Sequence, residues 1–256
     1  MNKSYLFYLA LCTYSCFSFM SCQQQTEVIR EKPAAKSNSN QDGGVDQTGG
    51  GNAINGIPLD KFIVPIMEKN SYKNYVTPLL QKISIGFPRL AADFYHISQN
   101  RDWYFVPSSL SEISSKILGT YAPTDQLALQ DLNKIWIDRI KFEQMTEEDQ
   151  GVLIIHEIMM GIRLLKYKEK QDLCIAKATL FLLKQDNEGE ENYRREKQFC
   201  RNTYPVFDGT QNTNFNLSKN DYDLIRKLVS KLLMSEIDFE EIKSLIETYQ
   251  FRDYSD

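Results

Sequence analysis

Residues Gly151-Val152-Leu153-Ile154-Ile155-His156-Glu157-Ile158-Met159-Met160-Gly161-Ile162-Arg163-Leu164-Leu165 decide how the chain is read. Wound at about 100° per residue they place apolar side chains on nearly every side, so this helix runs through the centre of a domain. Only His156, Glu157 and Arg163 interrupt it, and charged groups are rarely buried without partners. His156 shares its face with Val152, Met159 and Arg163. Glu157, one position on, points elsewhere and is expected to pair with a basic residue from another part of the fold.

Around this helix the pattern stays mostly helical. Thr146 with Asp149 predicts a cap that opens the helix, which runs to about Tyr167. Residues Cys174 to Lys184 read as a separate apolar helix, and Glu188 to Lys197 as a solvated helix or loop. Beyond a polar loop, Ser218 with Asp221 caps a helix bearing Leu224, Ile225, Leu228 and Val229, and Ser235 caps a last one with Phe239, Ile242 and Leu245. Upstream, Ile57 to Ile66 with its two prolines reads as an irregular or edge strand. Ser71 is expected to cap a helix carrying Tyr75, Leu79 and Ile83, and another follows from Pro88 to about Ser98. Strands are expected at Trp103–Val106, Gln126–Gln130 and Ile135–Phe142, with a turn at Asn133-Lys134 between the last two. The fold class is therefore α+β and mainly helical: one globular domain, with a small antiparallel strand element packed against a central buried helix.

Hydrophobic content of 42%, with 14 Tyr and 14 Phe, is ample for a packed core. A net charge of −4 without a sustained basic stripe argues against nucleic acid as a partner.

At the amino terminus, Lys3 precedes an apolar stretch from Tyr5 to Met20, which has the length of a signal-peptide core and is short for a spanning helix of ~20 residues. Phe19-Met20-Ser21-Cys22 then places a small residue directly before a cysteine. This resembles the lipobox of bacterial lipoproteins, with Phe19 where that family prefers Leu and Met20 where it prefers a small residue. The resemblance implies removal of residues 1–21, a diacylglyceryl thioether on Cys22 and acylation of its new amino group. It also implies a cell-envelope location, with Gln23 favouring the outer membrane and a face toward the periplasm or the surface. Residues 22–56 hold no aromatic and six of the twelve glycines, so they read as a flexible tether with a reach of about 30–35 Å. The globular domain is expected over 57–256.

Export also organises the cysteines. Of five, Cys12 and Cys16 leave with the signal peptide and Cys22 carries lipid, so Cys174 and Cys200 remain. In an oxidising compartment such a pair reads as a disulfide; the competing reading is two separately buried thiols.

The His-Glu pair after a strand pair and a capped helix resembles the core of zinc metallopeptidases of the His-Glu-x-x-His type. There a second His one turn on completes the ligand pair and Glu activates the metal-bound water. Matched to this chain, His156 would be the first ligand and Glu157 the general base, but the second ligand position holds Met160. A zinc site would have to recruit His96, the one other histidine, or carboxylates. The helix also resembles His-Glu helices of uncharacterised exported bacterial proteins, which implies no activity. Two functions follow from these readings. The first is a lipid-anchored envelope protein with a binding or structural role, no cofactor, and the membrane and an envelope protein as partners. The second is a divergent zinc-dependent hydrolase using His156 and Glu157.

Weaker signals have ordinary explanations. The acidic run Asp186 to Glu191 lacks the spacing of a calcium loop. Asn216-Leu217-Ser218 matches a glycosylation acceptor but is accounted for by the Ser218 cap. Phe94, Tyr95, Trp103, Tyr104 and Phe105 would line a groove if exposed, although aromatics this dense usually make core.

Overall fold

The aromatic run Asp102–Val106 forms strand β3 at one edge of a three-stranded sheet whose centre is β5 (Lys134–Asp138) and whose other edge is β4 (Ala128–Gln130). The computed structural model describes residues 53–113, 126–184, 187–204, 217–252 and 254, all within a unit spanning Gly43–Asp256. Strands β4 and β5 pair antiparallel across a short turn, where Asp131 Oδ1 accepts from the backbone N–H groups of Asn133 and Lys134 at 2.7 and 2.8 Å. Strand β3 joins β5 in parallel, so the sheet is mixed rather than purely antiparallel.

Both faces of this sheet are covered, which explains its nearly continuous apolar sequence. Trp103, Phe105, Ile135 and Ile137 point into the main core. Alternate residues Tyr104, Val106 and Trp136 point the other way, onto Ile54, Leu59, Phe62, Leu110 and Ile113, with Tyr104 stacked on Trp136 at 4.2 Å. The second cluster comes from the amino-terminal segment. There β1 (Ala53–Ile54) and β2 (Ile57–Pro58) form a hairpin across Asn55-Gly56, both in the left-handed region with φ of 51° and 75°. This hairpin spans the expected boundary at 56/57. The expected irregular or edge strand Ile57–Ile66 is broken up. After β2 and a 3₁₀ turn at Leu59–Phe62 comes an antiparallel bridge of Ile63 to Tyr104, with Val64 N donating to the Trp103 carbonyl at 2.9 Å, and a second 3₁₀ turn starts at Ile66.

The helices are α1 (Thr77–Gly86, led by a π turn at Tyr72–Val76), α2 (Pro88–Asn100), α3 (Arg139–Gln144), α4 (Glu147–Ala178), α5 (Asn187–Thr203), α6 (Lys219–Leu232) and α7 (Phe239–Thr248). Helix α4 is the expected central helix. Ile154, Ile155, Ile158, Met159 and Ile162 are fully buried in it, under the π turn Tyr72–Val76, α2, α6 and the sheet.

Four boundaries differ from expectation, each for a local reason. Ser71 is already helical and caps nothing; its buried hydroxyl has no partner among the described residues. Strand β5 stops at Asp138, whose side chain accepts from Lys141 N and starts α3, so Ile135–Phe142 is half strand and half helix. Asp238, not Ser235, caps α7. Helix α4 continues past Tyr167 to Ala178 and tightens into a 3₁₀ turn at Thr179–Lys184, because no Gly or Pro lies between Gly161 and Gly189 to stop it. The extension packs beside α5, and Cys174 and Cys200 are bridged across that pair with Cα atoms 5.7 Å apart. Closing this loop contributes about 3.5 kcal/mol on the chain-entropy account. Among the described residues no helix is long and apolar enough to cross a membrane.

Candidate functional site

The three polar residues of the central helix go to different places. Glu157 is buried against β4, where Gln130 Nε2 donates to its Oε2 at 2.6 Å and to its backbone carbonyl at 2.9 Å. That fixes the amide orientation, because the Gln130 oxygen then accepts from Arg101 Nη1 at 2.6 Å. Arg101, at the end of α2, also donates to the Asp131 carbonyl and, through Nη2, to the Gly161 carbonyl, both at 3.0 Å. Gly161 permits this approach: a Cβ there would stand 2.9 Å from Arg101 Nη1. Glutamate and guanidinium are therefore joined through Gln130.

With the amide between them, the two charges do not repay their burial. Loss of solvation pushes the Glu157 carboxyl up to about 7, against the opposing pull of Gln130 and Arg101. The same effect pushes Arg101 down to about 10, against Asp131 and Glu157. Burial first, then the Arg226 charge, lowers the His156 imidazole. His156 and Glu157 both line a cavity of about 300 Å³, together with Gln130, Met160, Tyr222 and Arg226.

The raised carboxyl predicts a pH dependence. Folded Glu157 keeps a proton that the unfolded chain releases, so its contribution to stability is complete below about pH 4.5. It falls by about 1.4 kcal/mol per pH unit as pH rises toward 7. His156, with its lowered imidazole, acts in the opposite direction below its ordinary range, so the test is a difference between variants. Glu157→Gln should be less stable relative to the native chain at pH 5 than at pH 8, by about 2–3 kcal/mol in urea unfolding. A difference that does not vary with pH would show that the carboxyl is not shifted.

Arg163 is engaged elsewhere. Its Nε lies 2.8 Å from Asp221 Oδ1, and its Nη1 donates to the carbonyls of Gln250 and Phe251 at 2.7 and 3.0 Å. Asp221 also completes the α6 capping box with Ser218 and accepts from Tyr167.

The zinc expectation fails the test of fit. His96 is exposed on α2 with its Nδ1 on the Asn100 amide, 2.9 Å away. Met160 occupies the second ligand position. Among the described residues no three His, Cys, Asp or Glu side chains are gathered to hold a metal ion. Glu157 is held by Gln130 and accounted for without an ion. Of the weaker candidates, Glu188 to Glu191 lie in the first turn of α5 and Glu190 pairs with Arg194, whereas Asp186 is outside the described residues. Asn216 also lies outside them, and Ser218 is the cap expected of it. Phe94, Trp103, Tyr104 and Phe105 are core, and only Tyr95 is exposed. Cys22 lies outside the described residues. Arg101 and Gln130 were not singled out by sequence; a lone Arg before a strand and a Gln ending one carry no pattern. No family model, curated protein or solved structure matches the chain.

Proposed function

We propose that this chain is an exported cell-envelope lipoprotein, anchored through acyl chains on Cys22, whose globular domain has a binding or structural role rather than a hydrolytic one. The arrangement of the cysteines carries the reading. Three of the five lie in or at the end of the apolar amino-terminal stretch, and the other two are bridged in the domain, as an oxidising compartment favours. Anchoring through more than one acyl chain is stable without help from the domain, and the tether lets that domain stand off the bilayer to meet an envelope protein. The absence of Asp after Cys22 supports the outer membrane. The domain's interior supports a non-hydrolytic role, because Glu157 and Arg163 are both engaged in holding elements together.

The test is labelling with radioactive palmitate in the producing bacterium, with mass spectrometry of the mature amino-terminal peptide. Expected is a label lost in Cys22→Ala and a mature chain that begins at acylated Cys22. An unmodified Cys22, or cleavage at another position, would overturn the anchor.

A further inference from the structure

A second cavity, of about 600 Å³, shares no lining residue with the one beside Glu157. It opens where the corner between α1 and α2 meets α4, α7 and the carboxy-terminal segment. Its volume lies within the range of sites for small molecules. Phe87, Leu90 and Ile246 supply an apolar part, with Leu90 and Ile246 buried and Phe87 tilted against Phe239 at 5.6 Å.

The polar part is unequal in charge. Arg89, Lys166, Lys243 and Arg252 line the cavity against one acid, Glu247. Arg252 is neutralised, with Nε 2.6 Å from Asp93 and Nη2 2.9 Å from Glu169, and Tyr254 donates to the same Asp93. These bonds make that wall a fixed one. Arg252 Nη1 is buried with no acceptor among the described residues, so the wall has more donors than acceptors. Lys166 and Lys243 come from different helices, and neither makes a hydrogen bond or ion pair among the described residues, not even Lys243 with Glu247 one turn away. One turn beyond Lys166, the Lys170 ammonium is pushed down, by burial first and then by the charges of Lys166 and Arg163.

We infer that this cavity binds a small organic anion, a phosphate or carboxylate on an apolar body, with Lys166 and Lys243 at the charged end and Phe87, Leu90 and Ile246 at the apolar end. Two ammonium groups without a partner among the described residues, beside an apolar floor, match such a molecule in both parts. Inorganic phosphate would leave the floor unused, and a neutral apolar molecule would leave the lysines unpaired.

Isothermal titration of the purified full chain at low salt tests this. The probes are 1-naphthyl phosphate and 1-naphthoate, with inorganic phosphate and 1-naphthol as the separate halves. At least one whole probe should bind saturably at one site, about tenfold or more tighter than either half. Lys166→Gln with Lys243→Gln should weaken it about tenfold or more, whereas Lys227→Gln on the exposed face of α6 should leave it unchanged. An unaltered thermal midpoint would show that the double variant is folded; Lys166→Gln alone, expected to weaken binding severalfold, serves if it is not. No saturable binding, equal binding of a half, or equal loss in Lys227→Gln would overturn the inference. Binding only to phosphatidylglycerol vesicles, lost in the double variant, would overturn it in favour of a membrane-surface contact.

Discussion

Arg163→Met should lower the unfolding free energy by about 3–5 kcal/mol, a large share of the total for a domain of this size. The arginine lies on the central helix and is buried, and one guanidinium serves three elements. It pairs with Asp221 in the first turn of α6 and donates to the carbonyls of Gln250 and Phe251, which holds the carboxy-terminal segment against the core. Methionine fills much of the volume but satisfies none of these acceptors, and it leaves a buried carboxylate without its cation. Burial alone would raise the Asp221 carboxyl, but the hydrogen bond from Ser218, the charge of Arg163 and the hydroxyl of Tyr167 hold it below its ordinary range. Its contribution is therefore present above the carboxyl's unfolded pKa and is lost as pH falls through the lower folded value. The variant should lose part of this, so its deficit should shrink toward acid pH. Amide exchange should rise first around Phe251, which is fully buried and whose carbonyl loses its donor in the variant. Arg163→Lys should recover part of the loss, since one ammonium reaches fewer of these acceptors. A loss under about 1 kcal/mol for Arg163→Met would show that the pair repays little more than its desolvation.

These partners explain what was legible in the sequence. The central helix was, because its apolar residues surround it and Thr146 and Ser218 are paired with acids three positions on, signals that depend on neighbours alone. Counting singled out Cys174 and Cys200 as a pair, and their bridging depended on the distance between α4 and α5, which counting cannot report. The Asn55-Gly56 turn was equally local, yet it sits next to the glycine-rich tether and is hidden by that composition. The extent of α4 was not legible from periodicity, because beyond Tyr167 its contacts are with α5 rather than with the core, and the apolar stripe stops while the backbone continues. Parallel pairing of β3 with β5 depends on contacts remote in sequence, and alternation cannot report them. The site was half legible. Glu157 and Arg163 are conspicuous as polar interruptions, whereas their partners Gln130 and Asp221 lie 27 and 58 residues away. Gln130 and Arg101 carry no mark of their own, and the mark on Asp221 is that of a helix cap rather than of an ion-pair partner.

Arg101→Met should be comparable in cost, about 3–5 kcal/mol, with a signature that separates it from Arg163→Met. Arg101 joins the end of α2 to the β4–β5 turn and to the central helix, and it holds Gln130 in the orientation that presents its amide N–H to Glu157. Methionine removes that orienting bond and the nearest cation together. The Glu157 carboxyl then loses one of the two influences that hold it down against burial, and its proton becomes harder to remove. Stability of the variant should therefore continue to fall with pH above 7, where the native contribution of Glu157 has levelled off. The deficit should be smallest near pH 5, where Glu157 is protonated in both proteins. Adding Glu157→Gln to Arg101→Met should remove the extra slope while leaving much of the loss near pH 5, because the carbonyls of Asp131 and Gly161 still lack their donor. Urea unfolding of the native chain, both single variants and the double variant at pH 5 and pH 8 closes the cycle. Strict additivity at both pH values would mean that arginine and glutamate act independently, and the Gln130 link would carry no coupling.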